Sequence, residues 1–195
     1  MSHQRRARTF PMTASSVSSP TPPSRIAGWG PVAGVGIAVA LALTSLLATA
    51  PQVLINTTAS EPEGLYRRIG APAGVGRLVA FMAPAAAFPF ADAHLAYLRR
   101  VPMLKAVAAG PGDQVCARDG RLVIAGRDRG PIAWADREGR ALPHWNGCRR
   151  LAASELFVFS ARVPNSFDSR YFGPIDRQDV LGVYTPLVVA SEGSR

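Results

Sequence analysis

The chain has 195 residues, a hydrophobic fraction of 48% and a formal net charge of +9 at neutral pH. This length gives room for one anchor segment and one domain of ordinary size. Four of the arginines precede a long apolar run, and the remaining basic residues are interspersed with acids. Because no basic motif or aromatic-basic interleaving accompanies the charge, nucleic acid is not an expected partner.

The N-terminal part predicts a tail and a membrane anchor. Residues 1–25 are rich in Ser, Thr and Pro, which favours a disordered cytoplasmic tail. Residues 26–50 carry no charge, and their apolar core, 27–49, would be roughly 35 Å long as a helix. A hydrocarbon core is about 30 Å thick. The preceding arginines predict a cytoplasmic N-terminus and an exported domain at 51–195.

A cleaved signal peptide is the alternative to this anchor. The sequence ATA at residues 48–50 is typical of a small-residue cleavage site. However, Pro51 stands directly after that bond, and the apolar core is longer than that of a usual signal peptide. We therefore predict a retained anchor, which makes the lipid bilayer an expected partner.

The first polar stretch after the apolar run is NTTASEPEGLY, residues 56–66. Counting by twos from Asn56 gives Thr, Ser, Pro, Gly and Tyr, and a period of two predicts an extended strand. Ser60 lies in the middle of this row. The period alone does not decide whether Ser60 is a nucleophile or a polar residue on a strand.

Short strands are predicted along the rest of the chain. They lie at 75–84, at 101–108 and in the segments QVCARDG, RLVIAG, ELFVFSA and DVLGVYTPLVV. A turn is predicted at 110–113, and a short amphipathic helix at 91–100. The apolar insert 82–98 either packs on the domain, which we favour, or touches the membrane surface. This spacing indicates a mainly antiparallel β domain.

Lys105 is the only lysine among 22 basic residues. Arginine does not lose its proton in a protein, whereas a desolvated lysine does. On its predicted strand Lys105 shares a face with Met103 and Val107, and apolar surroundings lower the pKa of an amine. Lys105 is therefore a candidate general base for Ser60. The alternative is an ordinary lysine whose amine reaches solvent from a strand edge.

Cys116 and Cys148 are the only cysteines, and an oxidising compartment would allow them to form a disulfide. The two cysteines and three histidines show no spacing typical of metal ligands. We therefore expect neither a metal nor another cofactor.

Three segments in order resemble the boxes of the type I signal peptidase family: SEPEGLY at 60–66, LKAVAAGPGD at 104–113 and NSFDSRYFGP at 165–174. The row N-x-T-x-S-x-P-x-G-x-Y and the segment 136–160 resemble its TraF-type conjugative-transfer branch. The resemblance covers about residues 50–188. It implies a mainly β, signal-peptidase-like antiparallel domain behind one N-terminal transmembrane helix.

The resemblance also implies roles. Ser60 would attack the scissile carbonyl, and Lys105 would take its proton. The hydroxyl of Thr58 and the backbone N–H of Ser60 would form the oxyanion hole. The remaining implied residues orient or support the site: Ser166 would orient the lysine amine, and Asp168 and Arg170 would form a buried pair.

The chain departs from the family pattern at two points. Many signal peptidases have arginine directly after the lysine, where this chain has Ala106. The large second β-domain of some bacterial members is missing or shortened here. The second departure suggests a narrower range of substrates.

The implied function is a membrane-anchored serine endopeptidase in the bacterial inner membrane, with a periplasmic catalytic domain. Its expected partner is a membrane-bound precursor, principally the pilin of a conjugative or type IV secretion system, with cyclisation of the product left open. One alternative is a general type I signal peptidase that removes signal peptides from secreted proteins. Another is a non-catalytic, membrane-anchored assembly factor of the transfer apparatus. A Ser-His-Asp hydrolase fits poorly because the G-x-S-x-G elbow is absent.

Overall fold

The computed structural model describes Gly36, residues 51–164 and residues 166–190. The chain divides between Ala48 and Thr49, and the fold described below is that of the second unit. The predicted tail and anchor, 1–25 and 26–50, lie outside the described residues except for Gly36. Within the described ranges, no helix has the length and apolar character needed to cross a membrane.

Eleven strands form two antiparallel sheets in the described part of the chain. Their bounds are β1 Val53–Asn56, β2 Gly64–Ile69, β3 Leu78–Phe81, β4 Met103–Ala109, β5 Gln114–Arg118, β6 Arg121–Ile124, β7 Arg127–Pro131, β8 Gly147–Arg150, β9 Glu155–Val158, β10 Ile175–Asp176 and β11 Val180–Val189. The larger sheet has the order β1-β2-β11-β3-β4-β9-β10, and the smaller one has the order β7-β6-β5-β8. The prediction of a mainly antiparallel β domain is confirmed.

Within residues 51–164 and 166–190, helical structure is limited to short pieces. The α-helices there are α1, Phe90–His94, and α2, Ser169–Phe172. Turns of 3₁₀ helix occupy Ala85–Ala87, Ala96–Arg99 and Arg177–Asp179. The predicted helix at 91–100 is therefore two separate pieces. The insert 82–98 packs on the domain through its buried residues Ala87, Ala91 and Leu98.

Strand β4 lies near the middle of the larger sheet, between β3 and β9. Its apolar sequence, MLKAVAA, suits a strand with both neighbours in place, and five of its seven residues are buried. Alternate residues of the neighbouring β9 contribute to two core clusters, Val158 to one and Phe157 to the other. The register pairs Lys105 with Val79 of β3.

The row 56–66 is not one strand, so that prediction is wrong. Strand β1 ends at Asn56 and β2 begins at Gly64, and these two residues pair across a hairpin. Residues 57–63, which we call the Ser60 turn, carry Ser60 between the two strands. Hydrogen bonds from the side chain of Asn56, described below, replace strand pairing in this segment.

Other differences concern strand limits and short strands. The strand predicted at 75–84 is confined to β3, and the one predicted from residue 101 begins at Met103. Strands β7, β8 and β10 were not predicted, because their residues lack a clear apolar alternation. Cys116 and Cys148 form a disulfide between β5 and β8, with their Cα atoms 3.9 Å apart.

Candidate active site

The Ser60 turn is organised by the side chain of Asn56. Asn56 Nδ2 lies 2.9 Å from the carbonyl oxygen of Thr58 and 2.9 Å from that of Glu61. The same amide lies 3.0 Å from the carbonyl oxygen of Pro62, and Asn56 Oδ1 accepts from Thr58 N at 3.2 Å. One buried amide therefore satisfies backbone groups along the whole turn, in the manner of Asx turns.

Two further side chains tie the Ser60 turn to the sheets. The phenol of Tyr66, on β2, donates to the carbonyl oxygen of Pro62 at 2.5 Å. The hydroxyl of Ser160, just beyond β9, donates to the carbonyl oxygen of Ser60. These contacts fix the backbone at the carbonyl of Ser60 and at that of Pro62, two residues later.

Ser60 and Lys105 meet at the centre of the site. Lys105 Nζ lies 2.5 Å from Ser60 Oγ, and each residue is 6% exposed. Burial lowers the pKa of Lys105 to about 8, although the charges of Asp168 and Glu61 act in the opposite direction. Because that pKa lies close to neutrality, a sizeable fraction of the amine is neutral at pH 7 to 8. The arrangement can therefore transfer a proton from the hydroxyl to the amine.

Thr58 stands beside the hydroxyl of Ser60. Thr58 Oγ1 lies 3.3 Å from Ser60 Oγ and donates to Asn56 Oδ1 at 2.8 Å. Among the described residues, no hydrogen-bond acceptor is recorded for the backbone N–H of Ser60. Two donors thus lie next to Ser60 Oγ, and the described residues supply an acceptor for only one of them.

Asp168 and Arg170 form a buried ion pair. Arg170 Nε donates to Asp168 Oδ1 at 2.8 Å and Arg170 Nη2 to Asp168 Oδ2 at 2.9 Å, and the residues are 2% and 0% exposed. The guanidinium also donates to the carbonyl oxygens of Pro164 and Ser166 at 2.7 and 2.9 Å. The pair is planar and bidentate, which is the strong geometry for an arginine–carboxylate contact.

The ion pair connects to Ser60 through one residue. Asp168 Oδ2 accepts from Ser160 N at 3.2 Å, and the hydroxyl of Ser160 holds the carbonyl oxygen of Ser60. The carboxylate of Asp168 also contributes the largest electrostatic effect that raises the pKa of Lys105. Asp168 therefore acts on both members of the Ser60–Lys105 pair.

Ser166 lines a groove together with Ser60 and Lys105, and it is 6% exposed. Its hydroxyl oxygen has no hydrogen-bond partner among the described residues. The structure thus places Ser166 near the dyad but shows no hydrogen bond from its hydroxyl to Lys105, whose amine is directed at Ser60. The orienting role of Ser166 stays a prediction.

The four residues Thr58, Ser60, Lys105 and Ser166 line one groove of about 590 Å³. Its lining includes these apolar side chains: Leu54, Ile55, Phe90, Leu95, Tyr97, Leu98, Val101, Met103 and Leu104. It also includes these charged side chains: Asp136, Arg137, Glu138 and Arg140. A separate depression of about 420 Å³ beside β2 and β11 contains none of the four residues. An apolar groove beside a Ser/Lys pair suits an extended peptide.

The described ranges contain no cluster of three or more His, Cys, Asp or Glu residues able to hold a metal ion. Three residues of the site were not predicted from the sequence: Asn56, Glu61 and Ser160. Asn56 and Glu61 stand inside segments that resemble family boxes, so the signal was present but was not interpreted. Ser160 is the last residue of the segment 136–160, which also resembles the family branch, but that resemblance implies no role for it.

Comparison with known proteins gives a family model and named relatives that agree with one another. Residues 26–188 match the family model for signal peptidase, peptidase S26. The plasmid transfer protein TraF of Escherichia coli is 34% identical over 166 residues, which are 80% of this chain and 92% of that protein. The conjugal transfer protein TraF of Agrobacterium fabrum (strain C58 / ATCC 33970) is 37% identical over 145 residues, 68% of this chain and 80% of that protein.

Among solved structures, a signal peptidase I from Enterococcus faecalis V583 covers 59% of this chain and 98% of its own, with 21% identity and a TM-score of 0.36. A score this low adds nothing to the assignment. The family match and the TraF relatives cover most of the chain and need no support from it. On that basis the chain belongs to the peptidase S26 signal peptidase family.

Proposed function

We propose that this protein is a membrane-anchored serine endopeptidase in which Ser60 is the nucleophile and Lys105 the general base. One observation carries the proposal: Lys105 Nζ lies 2.5 Å from Ser60 Oγ in a buried site. Burial lowers the pKa of the lysine to about 8, so a neutral amine is available to activate the hydroxyl.

The reaction then follows in two halves. Neutral Lys105 accepts the proton of Ser60 as Ser60 Oγ attacks the scissile carbonyl. The ammonium of Lys105 gives that proton to the leaving amine, and an acyl-enzyme remains on Ser60. In the second half, Lys105 removes a proton from water, or from the amine of a second peptide end, as that nucleophile attacks the ester. The bond between the acyl carbon and Ser60 Oγ then breaks, and the ammonium of Lys105 returns the proton to Ser60 Oγ. The first route hydrolyses the precursor and the second joins two ends.

The neighbouring donors stabilise the charge that develops on the carbonyl oxygen. We assign this role to the backbone N–H of Ser60 and the hydroxyl of Thr58. In the free protein the hydroxyl of Thr58 donates to Asn56 Oδ1, so the carbonyl oxygen of the substrate must replace Asn56 Oδ1 as its acceptor. The unpaired hydroxyl of Ser166 is available to accept from the ammonium of Lys105 after proton transfer.

The substrate we propose is an exported precursor protein, principally the pilin of a conjugative or type IV secretion system. The names of the relatives support this choice, because they refer to plasmid and conjugal transfer. The apolar side chains that line the groove favour a peptide substrate with small or apolar side chains. Placement in the inner membrane, with a periplasmic catalytic domain, rests on the predicted anchor at 26–50.

The proposal is tested by precursor processing with the full-length protein at a series of pH values. Protonated Lys105 cannot act as a base, so the rate should rise about tenfold per pH unit below pH 8 and level off above it. Lys105→Arg keeps a positive charge but supplies no base, and we expect it and Ser60→Ala to lose processing. Ser154→Ala, at an exposed serine away from the groove, is the matched control. Processing by Lys105→Arg would exclude the mechanism.

A further inference from the structure

Glu61 is a buried acid that the mechanism above does not use. It follows the nucleophile directly and is 7% exposed. Glu61 Oε1 accepts from the backbone N–H of Ala106 at 3.2 Å. Two consecutive residues of the Ser60 turn therefore contact two consecutive residues of β4: Ser60 contacts Lys105, and Glu61 contacts Ala106.

The backbone of Ala106 lies inside the sheet rather than at a flexible end. Its carbonyl oxygen accepts from Phe159 N at 3.0 Å, and the next residue, Val107, donates its N–H to the carbonyl oxygen of Arg77 at 2.9 Å. The N–H of Ala106 goes to the carboxylate of Glu61. Glu61 therefore joins the Ser60 turn to a rigid part of β4, directly after the lysine.

Several charges face this carboxylate. Burial raises the pKa of Glu61, while the N–H of Ala106 and the charges of Lys105 and Arg162 lower it, and Asp168 raises it. Tyr66 lies close enough that the charge of Glu61 raises the pKa of its phenol.

Neighbouring charges also act on the lysine, and Asp168 is common to both sets. Burial lowers the pKa of Lys105, Asp168 and Glu61 raise it, and Arg170 lowers it. Of the two acids that favour the ammonium form, Asp168 is paired with Arg170. The carboxylate of Glu61 accepts, among the described residues, from one backbone N–H. The two acids are therefore separable by mutation.

We propose that Glu61 is a positioning residue of the dyad: its carboxylate joins the Ser60 turn to β4 and places a fixed negative charge beside the amine of Lys105. The contact holds Ser60 Oγ within reach of the base. The charge offsets part of the effect of burial, so that the lysine remains a strong enough base to accept a proton. The role of Glu61 in catalysis rests on the proposed function, but its effect on the protonation of Lys105 can be measured without a substrate.

The test uses the fact that Lys105 is the only lysine in the chain. Full-length protein labelled with ¹³C- and ¹⁵N-lysine in detergent micelles gives one lysine side-chain signal, whose shift reports the protonation of Lys105 between pH 6 and 11. Glu61→Gln keeps an oxygen acceptor for Ala106 N and removes only the charge. We expect its titration midpoint to fall by about half a pH unit or more relative to the unmodified protein.

Glu63→Gln is the matched control, because Glu63 is an exposed acid two residues further along. We expect its Lys105 midpoint to equal that of the unmodified protein. Equal midpoints in the unmodified protein and Glu61→Gln, or an equal fall in Glu63→Gln, would overturn the proposal. A Glu61→Gln chain that failed to fold would show a midpoint near the ordinary lysine value of about 10.4, a change of the opposite sign.

Processing rates separate the contact from the charge. In Glu61→Gln the acid limb of the pH–rate profile should move by the same amount as the midpoint, which raises the rate at pH 6.5 about threefold. Glu61→Ala removes the contact as well, and we expect its plateau rate to fall about tenfold. Equal plateau rates in both variants would exclude the positioning role. Processing by Lys105→Arg would instead overturn the proposed function and leave the titration result intact.

Discussion

The strand of Lys105 and the turn of Ser60 reach the same 2.5 Å contact by different means. Strand β4 is hydrogen-bonded to β3 on one side and to β9 on the other, so the backbone of the lysine is held by sheet pairing. The Ser60 turn is held by side chains, above all by the amide of Asn56. The position of Lys105, the proposed base, therefore depends on the whole sheet, and that of Ser60, the proposed nucleophile, depends on a few side chains.

This difference predicts how mutations act. Truncating a side chain around the Ser60 turn should lower the rate more than the stability, because it moves the nucleophile. Truncating a core side chain of β4 should lower the stability and leave the rate of the folded enzyme almost unchanged.

The largest effect is expected at Thr58. Thr58→Val removes the hydroxyl proposed for the oxyanion hole and should lower kcat about 10²- to 10³-fold, as for the loss of one oxyanion donor. Thr58→Ser keeps the hydroxyl and should retain activity within a few fold. Steady-state kinetics of precursor processing measure both variants. A Thr58→Val enzyme as active as Thr58→Ser would remove Thr58 from the oxyanion hole.

Asn56→Ala breaks the hydrogen bonds that shape the Ser60 turn, and we expect kcat to fall about 10²-fold because the nucleophile shifts. Val107→Ala is the matched change on β4, at a core residue 2% exposed. It should lower the free energy of unfolding by about 2 kcal/mol and leave kcat of the folded protein unchanged. Similar kcat values for both variants would contradict the contrast between turn and strand.

Lys105→Met should make the protein more stable at pH 7. The pKa of Lys105 is about 8 in the folded chain against an ordinary value of 10.5, so the unfolded chain binds more protons between these values and stability rises with pH across that window. Below pH 8 the buried ammonium costs about 3 kcal/mol. After loss of the contact with Ser60, a gain of about 2 kcal/mol remains.

This gain corresponds to a Tm increase of about 5 °C at pH 7. The gain should shrink as the pH rises above 8 and disappear at about pH 10, where the remaining cost of burying the amine only balances the lost contact with Ser60. Thermal unfolding followed by circular dichroism at pH 7, 9 and 10 measures it. A Tm difference that is constant across this range would show that burial of Lys105 does not lower its pKa.

The smallest effect is expected at Tyr66, whose phenol donates to the carbonyl oxygen of Pro62. The same carbonyl also accepts from Asn56, so Tyr66→Phe leaves it with a partner. We expect a loss of about 1 kcal/mol in the free energy of unfolding and a change in kcat below about threefold. Urea denaturation and steady-state kinetics measure these values. A tenfold loss of kcat would show that Tyr66 rather than Asn56 fixes the turn.

The same contrast explains what the sequence could predict. A lone lysine on an apolar strand is a local pattern, and it is sufficient to mark Lys105 as a candidate base. The short strands of the sheets have equally local signals of apolar character and turn residues. The three segments that resemble family boxes, found in the family's order, mark Ser60 as the candidate nucleophile. The structure brings Ser60 and Lys105 together.

The Ser60 turn was not predicted because its shape comes from hydrogen bonds and not from periodicity. A row of alternating residues predicts an extended strand. The same row forms a turn when the side-chain amide of Asn56 donates to the backbone carbonyl oxygens that follow it. Glu61 and Ser160 were missed for another reason. Their contacts span 45 and 100 residues of sequence, and no pattern within one segment reports such a distance.

The place of β4 inside the larger sheet determines how the proposed activity is lost on heating. A strand paired on both sides exchanges its amide hydrogens only when the sheet opens, so Lys105 should keep its place until the domain unfolds as a whole. The edge strand β1 and the Ser60 turn can open locally at a lower free energy. On heating, activity should therefore disappear before the sheet melts, and it should return on cooling as long as β4 has stayed paired.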